Sequence, residues 1–225
     1  PLILSDLSLR FELRDRSIFI TDGKGLANGG FMGLSGRVEF GEGLVIARAV
    51  FEADLEAFRL NYPTGLITLS DGKATLEGEG KTWRLAGNLK ILQGSFREDV
   101  FPGAELFGFS SLPLPASGEA SSAGGGLRLN ISAATVEPII VRNNMADFSL
   151  EADVRVSGTL AAPILTGRVR NVAVGGIVFG ERRYTLETLR IEFLGRPVPD
   201  PNIEITAFTR MTHRLEDLEI QLRVS

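Results

Sequence analysis

The sequence predicts an all-β protein. Three observations carry the prediction. Apolar and polar side chains alternate over most of the chain, no apolar stripe of helical spacing persists for the length of a helix, and Gly-, Asn- and Asp-containing turn signals separate the alternating runs. A period of two puts successive side chains on opposite faces, so each run describes a strand with one dry and one wet face. Such alternation also argues against a parallel α/β sheet, whose doubly covered strands read as unbroken apolar runs.

The first run is Leu7, Leu9, Phe11 and Leu13, interleaved with Ser8, Arg10, Glu12 and Arg14. A weaker one follows Trp83, Leu85, Gly87, Leu89 and Ile91, and another Leu127, Leu129, Ile131 and Ala133. The clearest is Ala146, Phe148, Leu150, Ala152, Val154 and Val156, with Asp147, Ser149, Glu151, Asp153 and Arg155 between them. Leu189, Ile191 and Phe193 make a shorter one, and Leu218, Ile220, Leu222 and Val224 a last one. Turns are predicted at Asp22-Gly23, Asn28-Gly29, Gly41-Glu42-Gly43, Ser70-Asp71-Gly72 and Gly175-Gly176. The chain holds 26 glycines among 225 residues, above the usual ~7%, which fits many turns.

One segment breaks the pattern. Ser111 to Gly126 is almost wholly Ser, Pro, Ala and Gly and cannot bury enough surface to offset its ordering, so it reads as a loop. Phe101 to Phe109, just before it, reads as a short helix or a docked turn. The same alternation stands on both sides, and neither half has a pattern for closing its own core. Residues 1–225 therefore read as one sheet-built unit, with the loop over residues 111–126 bulging from it. About fourteen or more short strands must bury their apolar faces against something. A sandwich or closed barrel would use those faces as core, and an open, strongly curved sheet would leave an apolar groove. A solenoid-like stack is the remaining option, and periodicity does not separate them.

Composition narrows the function. With 44% hydrophobic and 23% charged residues the chain is an ordinary globular sequence. A net charge of −4 lacks the basic footprint of a nucleic-acid binder. The absence of cysteine excludes disulfides, zinc ribbons and thiol chemistry, and a lone His213 removes most histidine-based catalysis. No apolar run approaches the ~20 residues of a membrane helix, and the start lacks the basic and apolar regions of a signal peptide. The missing initiator Met and the end in mid-pattern predict a piece of a longer protein, with any anchor outside it.

The reactive constellations fail one by one. Gly80-Lys81-Thr82 looks like the end of a phosphate loop, but the glycine needed five positions earlier is Thr75 and a strand follows where a helix is required. Gly23-Lys24-Gly25 begins a dinucleotide fingerprint whose third glycine is Asn28. His213 lies four residues before Asp217, but no Gly-x-Ser-x-Gly elbow exists to supply a nucleophile. Glu98 and Asp99 are adjacent and point apart on a strand, and no carboxylates have calcium-loop spacing. The reading is a non-enzyme with no catalytic residue, no metal and no cofactor. What remains is the apolar face, read either as a conventional β core or as a groove for lipid or polypeptide.

The second half carries a longer pattern. Val141-Arg142-Asn143 precedes the strand from Ala146 to Val156, then come Gly158-Thr159, Pro163-Ile164-Leu165-Thr166-Gly167, Gly175-Gly176 and Phe179-Gly180. Phe193 and Asp200-Pro201 complete it. Over Ile139 to Val224 this resembles the C-terminal region of the TamB family, the translocation and assembly module proteins of Gram-negative bacteria. Leu60 to Leu66 and Leu76 to Ser95 are similar in style.

The resemblance implies a β-taco, a long sheet curled into an open, incomplete barrel with a hydrophobic interior. It implies an inner-membrane anchor outside this chain, a periplasmic location and an Omp85-type barrel partner in the outer membrane. It further implies transport of phospholipid between the membranes, or assembly of outer-membrane protein clients by a chaperone-like scaffold. The expected groove wall is Leu7, Leu9, Phe11, Leu13, Phe148, Leu150, Val154, Val156, Leu218, Ile220 and Leu222. A carbohydrate-binding solenoid is disfavoured by one Trp and two Tyr.

Overall fold

The computed structural model describes residues 3–61, 64–99, 126–159, 162–180, 182–196, 201–213 and 216–224. They form a single 14-stranded sheet. The strands are β1 (Leu4–Arg14), β2 (Ser17–Ala27), β3 (Gly30–Phe40), β4 (Ile46–Asn61), β5 (Leu66–Glu79), β6 (Thr82–Phe96) and β7 (Leu127–Thr135). The second half contributes β8 (Ile139–Arg142), β9 (Ala146–Thr159), β10 (Pro163–Asn171), β11 (Gly175–Phe179), β12 (Arg182–Leu194), β13 (Asn202–His213) and β14 (Glu216–Val224). The all-β expectation holds, although most strands are longer than expected: β4 runs for 16 residues and β6 for 15.

The spatial order runs β1-β2-β3-β4-β5-β6-β7-β9-β10-β12-β13-β14, and among the described residues β1 and β14 each pair with one neighbour only. The sheet is therefore open. β9 is long enough to pair with β8 and β11 along its first half and with β7 and β10 along its second. All pairings are antiparallel except one seam, where β6 runs parallel to β7 and β8. Alternation is blind to this, because it fixes faces and not directions. The chain leaves β6 at Phe96 and returns beside Trp83 as β7, a crossover that needs a dozen or more residues. Residues 100–125 lie outside the described residues, and with them the segment from Phe101 to Phe109 and nearly all of the Ser/Pro/Ala/Gly-rich segment.

Asn28-Gly29 forms the predicted β2–β3 hairpin turn, with both residues at positive φ (46° and 81°) as a type I′ turn requires. Asn28 also laces three strands. Its Oδ1 accepts from the Ile3 N–H at 2.7 Å, and its Nδ2 donates to the Arg59 carbonyl at 2.8 Å. Gly41-Glu42-Gly43 leads into a single 3-10 turn, Glu42–Leu44. Three expected turns are not turns. Asp22-Gly23 lies inside β2, Ser70-Asp71-Gly72 inside β5, and Gly175-Gly176 opens β11. Their glycines serve close approach between strands, as described below.

Register shifts interrupt the β1–β2, β2–β3, β4–β5, β5–β6 and β12–β13 ladders. Each such bulge bends its strand and adds right-handed twist, which curls a sheet that has no second layer. At the β4 bulge Ala57 has φ 53°, and its N–H donates to Asp71 Oδ1 at 2.7 Å.

Candidate functional site

Register joins the apolar faces of all the strands into one surface. One line of facing residues runs Phe11, Ile20, Gly36, Phe51, Leu76, Leu85, Leu129. A second runs Met32, Leu55, Gly72, Leu89, Ala133, Val154, Gly167, Phe193. The same face continues through Ile191 and Ile203, and through Leu186, Ala207 and Leu222. The opposite face carries the charges, paired across strands as Lys73–Asp54, Arg170–Glu151, Arg190–Glu204 and Arg210–Glu219. All are exposed and contribute at most about 1 kcal/mol each. The Lys73 ammonium has its pKa raised above 10.5, first by its hydrogen bond to Asp54 and then by that carboxylate's charge.

The cover over the apolar face differs along the sheet. Leu7, Leu9, Phe11 and Leu13 of β1 are 43–70% exposed. The corresponding residues of β2 to β7 are mixed: Ile18, Leu34, Phe51, Leu85 and Ile131 are half-buried, whereas Ala27, Met32, Ala49 and Phe58 are buried. On β12 and β13, Leu186, Leu189, Ile191 and Ala207 fall to 0–3% exposure. A leucine flanked only by its neighbours in a single sheet keeps its outer end in water. Near-zero exposure therefore means that the curl has folded side chains over these residues. They form one cluster with Val141, Phe148, Tyr184, Phe193 and Ile205, and Phe96, Leu165 and Ile177 pack against it.

The expected wall residues divide accordingly. Leu7, Leu9, Phe11, Leu13 and Ile220 are exposed. Phe148 is buried in the cluster, Leu150, Val154 and Leu222 pack against it, and Val156 is half-buried opposite Leu165 and Ile131. Leu218 holds the register position opposite Met211, and its side chain lies outside the described residues. One face thus contains an open section and a packed section.

A second set of residues shapes this face and was missed by reading glycine as a turn signal. Glycines stand at inner positions of β2, β3, β5 and β6, and a large neighbour lies over each. A methyl group at Gly23 would fall 3.0 Å from Leu9 Cδ2, at Gly36 2.7 Å from Phe51 Cδ1, and at Gly72 2.6 Å from Leu89 Cδ2. At Gly78 it would meet the Trp83 ring at 2.5 Å, and at Gly94 it would meet Ile139 Cγ1 at 2.6 Å. Laying a bulky side chain flat across a glycine keeps the surface level and apolar. Parity was an available signal for Gly36, Gly72 and Gly78, which keep the apolar phase of their strands, whereas Gly23 and Gly94 reach the inner face only beyond bulges that shift the phase.

The residues of the longer sequence pattern prove to be folding devices. Asn143 ties the β8–β9 turn, its Oδ1 accepting from the Met145 and Ala146 N–H groups and its Nδ2 donating to the Glu98 carbonyl. Asp99 Oδ1 accepts from the Asn144 N–H, so Glu98-Asp99 anchors the end of β6. The Ala162 N–H donates to Thr159 Oγ1 at 3.1 Å in the β9–β10 turn. Gly167 has φ 121°, a conformation closed to other residues beside the Asp153 carbonyl. Pro163 is the first residue of β10, where no ladder N–H is lost. Lys81 caps the β5–β6 hairpin, and His213 ends β13 opposite Glu216.

Fold and register together define an open, curled, single-sheet protein with one mostly apolar face. The TamB C-terminal domain matches residues 21–225 of the chain, and the chain belongs to that family, a family of the cell envelope. No curated protein and no solved structure gives a significant match. Among the described residues no helix is long and apolar enough to cross a membrane.

Proposed function

We propose that the chain is part of a non-enzymatic periplasmic bridge whose apolar face carries phospholipid acyl chains between the inner and outer membranes. The observation that supports this is the open section. The inner face of β1 exposes four large apolar side chains in a row, continuous with the half-covered faces of β2 to β7. Hydrocarbon gains about 0.8 kcal/mol per CH₂ on leaving water for such a surface. The open rim lets a charged headgroup stay wet. Family membership supports the periplasmic setting, the membrane anchor elsewhere in the protein and an Omp85-type barrel as partner.

The test is native mass spectrometry and lipid extraction of the purified chain, in the wild type and two variants. Phe11→Arg places a charge on the inner face of β1, where its stem can lie along the sheet and its head reach water. Ser8→Arg places the same charge on the outer face. Phe11→Arg is expected to lose bound phospholipid and Ser8→Arg to keep it. Equal occupancy in both would dismiss the acyl track. A second reading is a chaperone-like scaffold whose sheet edge would template strands of an outer-membrane barrel client. An unfolded barrel protein binding Phe11→Arg as well as wild type would favour it.

A further inference from the structure

We infer that a phosphate group binds between Arg84 and Arg128, on the outer face of the sheet at one end of the parallel seam. This site lies on the face opposite the acyl track and does not depend on it. Register sets three residues in one row: Arg84 on β6 faces Arg128 on β7, and Arg128 faces Thr159 on β9. Leu85 and Leu129, one position on, turn to the apolar face. Like charges facing each other across neighbouring strands repel. Among the described residues neither guanidinium makes an ion pair, and Glu77, across the β5–β6 ladder from Arg84, pairs with neither. The two arginines line one surface cavity of about 320 Å³ with Leu129, Asn130, Gly158 and Thr159, and no carboxylate lines it.

The polar side chains of the cavity are set to donate. Asn130 Oδ1 accepts from the Arg155 Nε–H at 3.0 Å, which leaves the Asn130 amide hydrogens for a ligand. Thr159 Oγ1 accepts from the Ala162 N–H at 3.1 Å, which leaves its hydroxyl hydrogen to donate. Two guanidinium forks, an amide and a hydroxyl suit the several oxygens of a phosphate, which arginine meets with paired N–H bonds. A second pair of opposed arginines in the same sheet is built differently. Arg170 faces Arg190 across β10 and β12. Each has its own carboxylate, Glu151 at 2.8 Å and Glu204 at 3.0 Å, and Glu187 lines the cavity beside them. That pair is neutralised from within the chain, whereas Arg84 and Arg128 call for an anion from outside it. A phospholipid headgroup and a free phosphate ion offer the same oxygens.

The test follows the arginine Nε–H and asparagine side-chain amide signals of the 225-residue chain by NMR. One arm titrates inorganic phosphate, and the other a short-chain phosphatidylglycerol kept below its micelle concentration. Sodium chloride at matched ionic strength is the control. Saturable shifts at Arg84, Arg128 and Asn130, with none at Arg170 and Arg190, are expected in at least one arm, and the arm that saturates at the lower concentration identifies the source. Arg84→Gln and Arg128→Gln should each weaken binding about tenfold or more, the loss of a charge-assisted hydrogen bond, and Arg170→Gln should leave it unchanged. Saturation in neither arm, equal shifts with chloride, or an affinity that neither Arg84→Gln nor Arg128→Gln alters overturns the inference. The titration of the unsubstituted chain decides by itself should a variant fail to fold.

Discussion

The same truncation at two places on one face should have very different costs. Leu186→Ala removes a side chain that is 1% exposed, inside the cluster of β8, β9, β12 and β13. Leucine-to-alanine changes at such sites cost about 2–5 kcal/mol, the transfer term plus the cavity that the neighbours fail to fill. Leu13→Ala removes one that is 70% exposed. Only about a third of the roughly 1.5–3 kcal/mol of full burial is at stake, so the loss is under about 1 kcal/mol, and no cavity forms. The two variants should therefore differ by at least ~1–2 kcal/mol. Urea unfolding followed by far-UV circular dichroism measures this, provided the slope is unchanged and only the midpoint moves. Equal midpoints would refute the division of the face into open and packed sections, because they would mean equal cover over Leu13 and Leu186. A large loss in Leu13→Ala would show that β1 is covered in solution.

Two further outcomes test the local devices. Gly78→Val should push the Trp83 ring off the sheet and, with a single Trp in the chain, shift its fluorescence to the red; an unshifted spectrum would mean that the ring does not lie over Gly78. Asn28→Gly keeps the turn and loses the links to Ile3 and Arg59, at about 1–2 kcal/mol by urea titration, whereas Asn28→Ala adds the strain of a positive φ and should cost more. Equal costs for the two substitutions would count against the type I′ turn.

The sequence by itself determined the strands, their two faces and the family. The apolar phase read from Leu7 to Leu13, from Ala146 to Val156 and from Leu218 to Val224 is the phase that the register lines join into one surface. This was legible because a period of two is a local property: each residue's face follows from its neighbours in the chain. The Asn28-Gly29 turn was legible for the same reason, since turn chemistry acts within four residues. Only the tertiary structure decided what is non-local. Gly23 and Gly72 looked like turns, because no local rule reports that Leu9 or Leu89 on another strand will lie across them. The parallel seam between β6 and β7 was hidden because strand direction leaves no trace in alternation. Most of all, Phe11 and Phe148 are equivalent in the sequence, each an aromatic residue in phase on an alternating strand. One is exposed on a strand that, among the described residues, pairs on one side only, and the other is buried where β8, β9, β12 and β13 meet, a difference set by partners far off in the chain.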